Sequence, residues 1–483
     1  MVRTNRRRQK ARAIDKAIND FRQGGGRRGF WKWARSIAKG HPTQSNRAEQ
    51  PVHDPTSGVL HTEPGEINAC WARHYRELLR DPHPAACRAT IYREAWERRR
   101  GGRPPSPALD GINGPIGGGE LCKALKRLNN NKASGVDGIT AETLKLAIYA
   151  PDSPFGKSLL ELMNNIWTTK CVPKQWCSSA VVSILKKGDV TVMDNYRGIS
   201  IMGALIKLLM TVVTQRLQDV CQTNKLIRRW QGGFMPGEEC PLQVASIFDI
   251  AGRRQALGLP TYAGFIDLRK AYDTIPHELL FSKLEANGIT GHMLSFLKTL
   301  YRDSTVQVKT GEAPGILSDP IPIERGLRQG CPASPILFNI FINDIFDGIE
   351  GLGCEVPGCV DMLDSRQPLR VPGQLFADDT VGLAPSLDNL HAMFAHFSQW
   401  AEDHYMGFGV KKCGVMALGR HSDVVALREQ ADRWQLGGER VPVVSEYRYL
   451  GALINSDLSM RNIVGDRVNK SRRTVARRAG YPP

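Results

Sequence analysis

The chain has 483 residues, which is enough for two to four structural units that each bury a core. Its 65 Lys and Arg outnumber its 48 Asp and Glu, and the resulting net charge of +17 favours a polyanionic partner such as nucleic acid. No stretch is long and apolar enough to span a bilayer, and the basic residues 1–12 lack the apolar core of a signal peptide, so we expect neither a membrane protein nor a secreted one.

The cysteines point to the same class of protein. There are 11 of them, without a CxxC pair, and the closest pairs have no His or Cys companions that would complete a zinc module. An odd number of scattered cysteines predicts reduced thiols in a soluble intracellular protein, either nuclear or cytoplasmic.

The N-terminal third mixes basic, helical and loop-forming segments. The first forty residues combine Arg and Lys with the aromatic string Phe30-Trp-Lys-Trp33, which suits phosphate contact and base stacking but is equally explained by packing on the next domain. Helical spacing of apolar residues predicts an amphipathic helix over 65–80. The Pro- and Gly-rich stretch 98–119 predicts a linker, followed by a second helix over about 119–128 and a turn-rich loop over 129–140.

Two apolar runs further on predict a β-hairpin with a cationic tip. The runs 180–185 and 198–202 flank Lys186 and Lys187, and Arg197 precedes the second run. Arg can grip phosphate oxygens in a bidentate fork, whereas Lys acts as a point charge. Exposed hairpin charges are more often simply solvated, so the tip alone does not establish phosphate binding.

Three acids carry the strongest chemical signal. Asp378 and Asp379 lie between apolar residues of the run 374–383, which predicts a tight turn between two strands. Successive strand side chains face opposite ways, so the two acids should not contribute equally and a metal would need another oxygen donor. Asp267 supplies one at the end of the apolar strand 262–268. Three acids on two strands suggest a two-metal site for phosphoryl transfer.

A start signal for a helix lies in the sequence between the strand that ends at Asp267 and the turn at Asp378. Ser334 as N-cap and Pro335 as first helical residue predict a helix with Phe338, Phe341, Ile345 and Ile349 on one face. Asp273 is predicted to cap a different helix, which begins near Thr274.

Several strings resemble the reverse transcriptases of non-LTR (LINE-like) retrotransposons. Phe265-Ile-Asp-Leu-Arg-Lys-Ala-Tyr-Asp273 and Phe376-Ala-Asp-Asp379 are similar to the palm motifs of that family, and Arg328-Gln-Gly-Cys-Pro-Ala-Ser-Pro335 is the most family-specific string. Weaker similarity covers Gln231-Gly-Gly-Phe-Met-Pro-Gly237, Met406-Gly-Phe-Gly-Val-Lys-Lys-Cys413 and Tyr447-Arg-Tyr-Leu-Gly451. The resemblance extends from about Trp31 to Gly451.

The resemblance implies an RNA-directed DNA polymerase that uses dNTPs and two Mg²⁺ ions, with Mn²⁺ as a substitute, to copy an RNA template from a DNA 3′ end. It implies Asp267 and Asp378 as main metal ligands, Asp379 as an accessory one, and the Leu268 carbonyl as a further ligand. The residue that protonates the departing pyrophosphate is Lys412 or, since the usual preceding Asn is absent, Lys411. The remaining implied roles are nucleotide binding by Lys186, Lys187, Arg197, Tyr272 (as the gate against a 2′ hydroxyl), Gln329 and Gly330, and a primer grip at Tyr449, Leu450 and Gly451.

The implied fold is α+β with a right-hand architecture, in which helices cover one face of an antiparallel palm sheet. We expect a basic extension and linker over 1–110, fingers over 111–258, a palm over 259–451 and a truncated thumb or basic tail over 452–483. Such a short thumb leaves open an inactive truncated copy that only binds nucleic acid. A group II intron maturase fits the motifs less well, and the oligomeric state is not predicted.

Overall fold

The computed structural model describes residues 50–459 and 465, except 102–103, 133–134, 136–137, 150–152, 312–314 and 362–365. The basic aromatic N-terminal segment, the basic stretch after residue 466 and parts of the loop 129–140 therefore lie outside the described residues. Helices and strands alternate along the described part, which confirms the predicted α+β class.

The described helices differ widely in length and in how much of their surface is buried. They are α1 (Pro64–Leu79), α2 (Ala85–Arg100), α3 (Gly118–Arg127), α4 (Ala141–Tyr149), α5 (Pro154–Thr169), α6 (Lys174–Cys177), α7 (Ala204–Thr223), α8 (Cys240–Ala256), α9 (His277–Ala286), α10 (Gly291–Arg302), α11 (Ser334–Ile342), α12 (Leu387–Asp403) and α13 (His421–Glu429).

The described strands form small sheets and hairpins. They are β1 (Val52–His53), β2 (Leu60–His61), β3 (Ser178–Leu185), β4 (Tyr196–Ile201), β5 (Tyr262–Asp267), β6 (Thr305–Thr310), β7 (Ile316–Leu317), β8 (Ile321–Pro322), β9 (Cys354–Val360), β10 (Pro368–Val371), β11 (Gly373–Phe376), β12 (Asp379–Ala384), β13 (Gly414–Ala417), β14 (Gln435–Leu436), β15 (Glu439–Arg440), β16 (Glu446–Tyr449) and β17 (Ala452–Asn455).

A four-stranded antiparallel sheet of order β11-β12-β5-β13 forms the centre of the described fold. Gly264 and Gly382 are paired on neighbouring strands, and a Cβ at either position would meet aromatic side chains of α12, so their lack of a side chain lets this helix pack closely. On the other face Phe265 and Val381 pack in one core with Ile247 of α8. Helices therefore cover both faces, and the expectation of helices on one face is wrong.

A second sheet has the order β4-β3-β6-β7, with β8 also paired to β6. Strands β3 and β4 form the predicted antiparallel hairpin, while β3 and β6 run parallel. The amphipathic helix α1 covers this sheet through Trp71 and Tyr75, which share a core with Val181 and Val308. The predicted helix over 65–80 is thus confirmed within one residue at each end.

Three local predictions differ from the structure. Helix α2 begins ahead of the predicted linker and runs into it; the sequence signal was weak, because only Tyr92 and Ala95 of its sixteen residues are buried. Helix α11 starts at Ser334 with Ala333 as N-cap, so the predicted start is shifted by one residue. The same helix ends at Ile342, and Ile345 and Ile349 are buried in the turns that follow.

None of the 11 cysteines forms a disulfide, as the spacing predicted. Among the described residues, no helix combines the length and the apolar character that a bilayer crossing requires.

Candidate active site

Asp267 and Asp379 lie directly opposite each other on neighbouring antiparallel strands. Residues in such a pair project their side chains to the same face of a sheet, with Cβ atoms about 4.5–5.5 Å apart. Asp378 belongs to the turn that joins β11 to β12. The fold therefore brings Asp267 close to the pair Asp378 and Asp379, although 112 positions separate Asp267 from Asp379 in the sequence.

The turn that carries Asp378 has a strained backbone held by buried partners. Ala377 has φ +58°, and the two loop residues Ala377 and Asp378 form a tight hairpin connection. Oε1 of the buried Gln231 accepts hydrogen bonds from the backbone N–H groups of Ala377 (2.9 Å) and Gly233 (2.7 Å). Sequence reasoning gave Gln231 no role, because only its position against the turn reveals one.

The electrostatics of the acids favour a bound cation. Burial, followed by the charge of Asp267, raises the pKa of Asp378, while Arg197 and Lys186 act against this shift. Burial and the charges of Asp378 and Asp267 raise the pKa of Asp379 to about 6. Oxygen donors that repel one another are the ligand type that Mg²⁺ and similar hard cations prefer.

The acids do not form the tightest ligand group of the molecule. Within the described ranges, the one group of His, Cys, Asp or Glu with three ligand atoms within 4.8 Å of one another is Asp54, His61 and Cys70. There, Oδ2 of Asp54 already accepts a hydrogen bond from Nη1 of Arg73 at 2.5 Å, so an ion pair accounts for this group. Two catalytic cations lie about 3.5–4 Å apart, so their carboxylate ligands need not be so close together.

Lys412 lies at the acids, and Lys411 does not. Nζ of Lys412 is 3.2 Å from Oδ2 of Asp267. The position of Lys412 is set by a 3₁₀ turn over Val410–Lys412, which follows Gly409, whose N–H donates to the backbone carbonyl of Asp267 at 2.8 Å. A Cβ at Gly409 would overlap the Asp267 carboxylate, so a side chain at this position would displace that carboxylate.

The backbone beside Asp267 also offers an oxygen. Leu268 forms an isolated antiparallel bridge with Phe408. On either side of this bridge, the Asp267 carbonyl accepts a hydrogen bond from the Gly409 N–H, and the Arg269 N–H donates to the Gly407 carbonyl. Since carbonyls alternate along a strand, the Leu268 carbonyl points away from Phe408, toward the side of β12.

Two of the three predicted cations of the β3–β4 hairpin act on the acids. Arg197 pairs with Ile184 in the hairpin register, and Lys186 follows β3 directly. Burial and then the charge of Arg197 lower the pKa of Lys186. Lys187 is exposed, and in the part of the chain that the structure describes it makes no contact with the acids.

Tyr272 lies on a short 3₁₀ turn, Ala271–Asp273, that follows β5. Its ring stacks on Phe338 with centroids 4.4 Å apart and planes 9° apart. Burial and then the charge of Asp378 raise the pKa of Tyr272, and its buried hydroxyl has no partner among the described residues. The ring is therefore fixed as a wall of the site.

Gln329 and Gly330 join the site to the β3–β4 hairpin. The carbonyl of Gln329 accepts a hydrogen bond from the Ser200 N–H at 2.8 Å, and Gly330 has φ +107°. Nε2 of Gln329 donates to Oδ1 of Asp273 at 2.5 Å. The prediction that Asp273 caps a helix is wrong, because the following helix starts at His277 with Pro276 as its N-cap.

The segment predicted as primer grip is the turn of the β16–β17 hairpin. Leu450 and Gly451 form this turn with φ +47° and +79°. The side chain of Tyr449 is buried in the core behind β5, so it is not available to a ligand. Tyr447 stacks on Phe265 at 4.1 Å, and its hydroxyl donates to the Lys412 carbonyl at 2.7 Å, which ties the hairpin to the acids.

Comparison with known proteins agrees with this geometry. Residues 184–454, more than half of the chain, match the sequence profile of the reverse transcriptase (RNA-dependent DNA polymerase) family. A Drosophila melanogaster protein named RNA-directed DNA polymerase from mobile element jockey is 24% identical over 74% of this chain and 37% of its own length.

Two further relatives also come from mobile elements. A Pol polyprotein from the type-1 retrotransposable element R2 of Popillia japonica is 26% identical over 70% of this chain and 44% of its own. The uncharacterized 149 kDa protein of transposon TX1 from Xenopus laevis is 29% identical over 57% of this chain and 20% of its own. The chain thus spans less than half the length of these three relatives. The predicted resemblance to non-LTR retrotransposon polymerases is confirmed, and the chain belongs to the reverse transcriptase family.

Proposed function

We propose that the chain is an RNA-directed DNA polymerase of a non-LTR retrotransposon, which extends a DNA 3′ end along an RNA template with dNTPs. The observation that carries this proposal is the direct opposition of Asp267 and Asp379, with Asp378 in the adjoining turn and Lys412 against Asp267. The family membership and the names of the mobile-element relatives support the same reading.

The acids fit a pair of hard divalent cations, because the charge of Asp267 contributes to the raised pKa values of both Asp378 and Asp379, and because such cations prefer carboxylate oxygens as ligands. When bound, Mg²⁺, or Mn²⁺ in its place, supplies positive charge at the attacking and leaving oxygens of nucleotidyl transfer. We assign the cations to Asp267, Asp378, Asp379 and the Leu268 carbonyl. Asp379 is the direct neighbour of Asp267 in the strand register, which supports a contribution from it beside the two main ligands.

The surrounding residues take the other roles. Lys186 and Arg197 hold the triphosphate with their charges, and Lys187 contributes only to the long-range field. Lys412 carries a proton at Nζ within reach of the departing pyrophosphate. Tyr272 blocks the space that a 2′ hydroxyl would need, and Gln329 and Gly330 line the nucleotide. The turn of Leu450 and Gly451 contacts the primer through its backbone, since the Tyr449 side chain is buried.

The same proposal orders the chain as a right hand. The sheet of β3, β4 and β6 belongs to the fingers: β3 and β4 lie within 111–258, and further strands join them from residue 305 onward. The four-stranded sheet is the palm of 259–451.

Primer extension on an RNA template with a DNA primer, Mg²⁺ and dNTPs tests the function. Wild type should extend the primer and Asp378→Asn should abolish extension, while Asp249→Asn, a change in an exposed acid of α8, should leave it intact. Equal incorporation by wild type and Asp378→Asn would refute the site assignment. Tight binding of template and primer without any extension by wild type would instead indicate an inactive copy.

A further inference from the structure

A cavity lies among the helices α2, α9 and α11. It has a volume of about 200 Å³, and its lining includes Trp96, Arg100, Arg228, Lys283 and Asp344. None of its described lining residues is assigned to the candidate active site. The side chain of Arg228 is half exposed, so solvent reaches the cavity from this side. The cavity is thus a separate candidate for ligand binding.

Four cations and two acids line the cavity, and both acids are already paired. Nζ of Lys283 is 2.6 Å from Oδ1 of Asp344. Nη2 of Arg228 is 2.9 Å from Oδ2 of Asp347, and Nε of the same arginine donates to the other oxygen of that carboxylate. Two of the four cations are thereby neutralised by protein carboxylates.

The other two cations are Arg99 and Arg100, at the end of α2. Neither forms an ion pair with a described residue. Nη2 of Arg99 is 3.4 Å from the Asp344 carbonyl and 3.1 Å from Nε2 of His396, but this ring nitrogen is also 2.9 Å from the Ile345 carbonyl. A neutral imidazole nitrogen either donates or accepts, so it cannot serve both partners. Since a guanidinium has five N–H groups, Arg99 retains unused donors.

Arg100 makes no hydrogen bond to any residue that the structure describes. Its Nε is buried without a partner, and so is Nε1 of Trp96, which lies one turn earlier on α2. Leaving such donors unmet costs free energy. Guanidinium and indole groups can donate but not accept, so what this side of the cavity lacks is an acceptor.

The protein around the cavity does not supply that acceptor. The carbonyl of Ala286, at the end of α9, already accepts from the Ser106 N–H at 2.8 Å. Oδ2 of Asp344 is buried and lies 3.7 Å from Nε2 of His404, so it faces α12 rather than α2. An anion from outside the chain would provide both the missing acceptors and the missing negative charge.

We propose that this cavity binds a phosphate group through the guanidinium groups of Arg99 and Arg100. Phosphate carries negative charge and several acceptor oxygens, and a guanidinium holds two of them in a bidentate fork. A volume of about 200 Å³ is smaller than a typical pocket for a drug-sized ligand, so a small phosphate-bearing group fits it. The phosphate comes either from a free phosphate compound or from the backbone of RNA.

Thermal unfolding of the full chain in inorganic phosphate tests the proposal without a catalytic step. Wild type should gain melting temperature as phosphate replaces chloride at constant ionic strength. For Arg100→Gln we expect the apparent Kd for phosphate to rise about 10-fold to 100-fold, because a charged fork of donors is lost. Arg98→Gln removes an exposed charge from the same helix and should leave this Kd unchanged.

The comparison between variants decides the outcome, because phosphate also stabilises proteins without binding to a site. Equal Kd values in wild type and Arg100→Gln, or equal increases in Arg100→Gln and Arg98→Gln, overturn the inference. Arg100→Lys provides a second measurement if Arg100→Gln does not fold. It keeps the charge but loses the fork, so its Kd should also exceed that of wild type, and an unchanged Kd would overturn the proposed contact.

The same titration with saturating single-stranded RNA identifies the source of the phosphate. If the RNA backbone supplies it, bound RNA removes the part of the response that depends on Arg100, and the salt slope of RNA binding falls by about one in Arg100→Gln. If a free phosphate compound is the source, this part of the response persists. Both results support the site. Because no primer is extended in these assays, failure of this inference and failure of the proposed function are distinguishable.

Discussion

Asp379 lies directly opposite Asp267 in the register of β5 and β12, so two carboxylates share one face of the sheet at the ends of its two central strands. Like charges in directly opposed strand positions destabilise a sheet. The rest of the four-stranded sheet is largely apolar and packed in two hydrophobic cores, which maintains this pair despite its repulsion. The fold thus stabilises an arrangement of carboxylates whose mutual repulsion a bound cation would relieve.

Asp379→Asn should therefore increase the melting temperature of the metal-free protein at neutral pH. The substitution removes a buried carboxylate that Asp378 and Asp267 repel, as the raised pKa of Asp379 indicates, while keeping the side chain's size. The same variant should gain less than wild type when Mg²⁺ is added, because one oxygen ligand has lost its charge. Thermal unfolding in EDTA and in a Mg²⁺ titration measures both effects. An unchanged Mg²⁺ response, with Asp249→Asn as the reference, would contradict the metal assignment.

Lys412 and Lys411 should differ sharply in their effect on the chemical step. Both lysines are exposed on the same 3₁₀ turn, but Lys412 contacts Asp267 at 3.2 Å, so Lys411 provides a matched control. We expect Lys412→Ala to slow single-turnover incorporation by about 100-fold or more, as the loss of a general acid does, and Lys411→Ala to have little effect. Similar losses in the two variants would argue for a general role of positive charge instead.

Tyr272→Val should weaken the discrimination against ribonucleotides. The Tyr272 ring is held by its stack on Phe338 and cannot turn aside to admit a 2′ hydroxyl. Removing the ring opens space for a 2′ hydroxyl. Because small steric differences in a packed pocket change discrimination by about 10-fold to 200-fold, the ratio of kcat/KM for the dNTP to kcat/KM for the rNTP should fall by a factor in that range. Measuring both substrates on one template checks this, and an unchanged ratio would exclude Tyr272 as the gate.

The sequence was sufficient for the elements whose signal is local. Apolar spacing and turn residues predict the helix around Trp71, the β3–β4 hairpin that contains Arg197 and the turn at Asp378. The structure contains all three. The partners of these elements could not be predicted in this way. Gln231 reaches the turn from 146 positions away, and only the fold shows that its amide holds the backbone of Ala377.

Asp273 shows why local patterns also mislead. An acid a few residues ahead of a helix usually serves as a cap, and the sequence offers no sign that Gln329 will lie beside it. The tertiary contact takes the place of the local one because two loops meet at Gly326, whose φ of +89° no pattern of apolar residues could reveal.

The buried His277 should make the stability of the fold depend on pH. It packs against Tyr301, and its Nε2 hydrogen-bonds to the Gly326 carbonyl at 2.8 Å, so the ring is held neutral beside the nucleotide-site loop. Burial lowers the pKa of His277 from its usual 6.5 to about 4. Between these values the unfolded chain binds more protons than the folded one, so the free energy of unfolding falls as the pH drops below 6.5.

At pH 5 this single group should cost about 2 kcal/mol of stability relative to neutral pH. Urea unfolding at pH 7.5 and pH 5.0 measures the loss, and His277→Gln, which keeps a donor near the Gly326 carbonyl, should lose less between the two pH values than wild type. His391→Gln, a change in an exposed histidine of α12, should retain the wild-type pH dependence. Because His74 and His404 also have lowered pKa values, a residual loss in His277→Gln is expected. Identical losses in wild type and His277→Gln would contradict the prediction, because they would show that His277 binds protons equally in the folded and unfolded states.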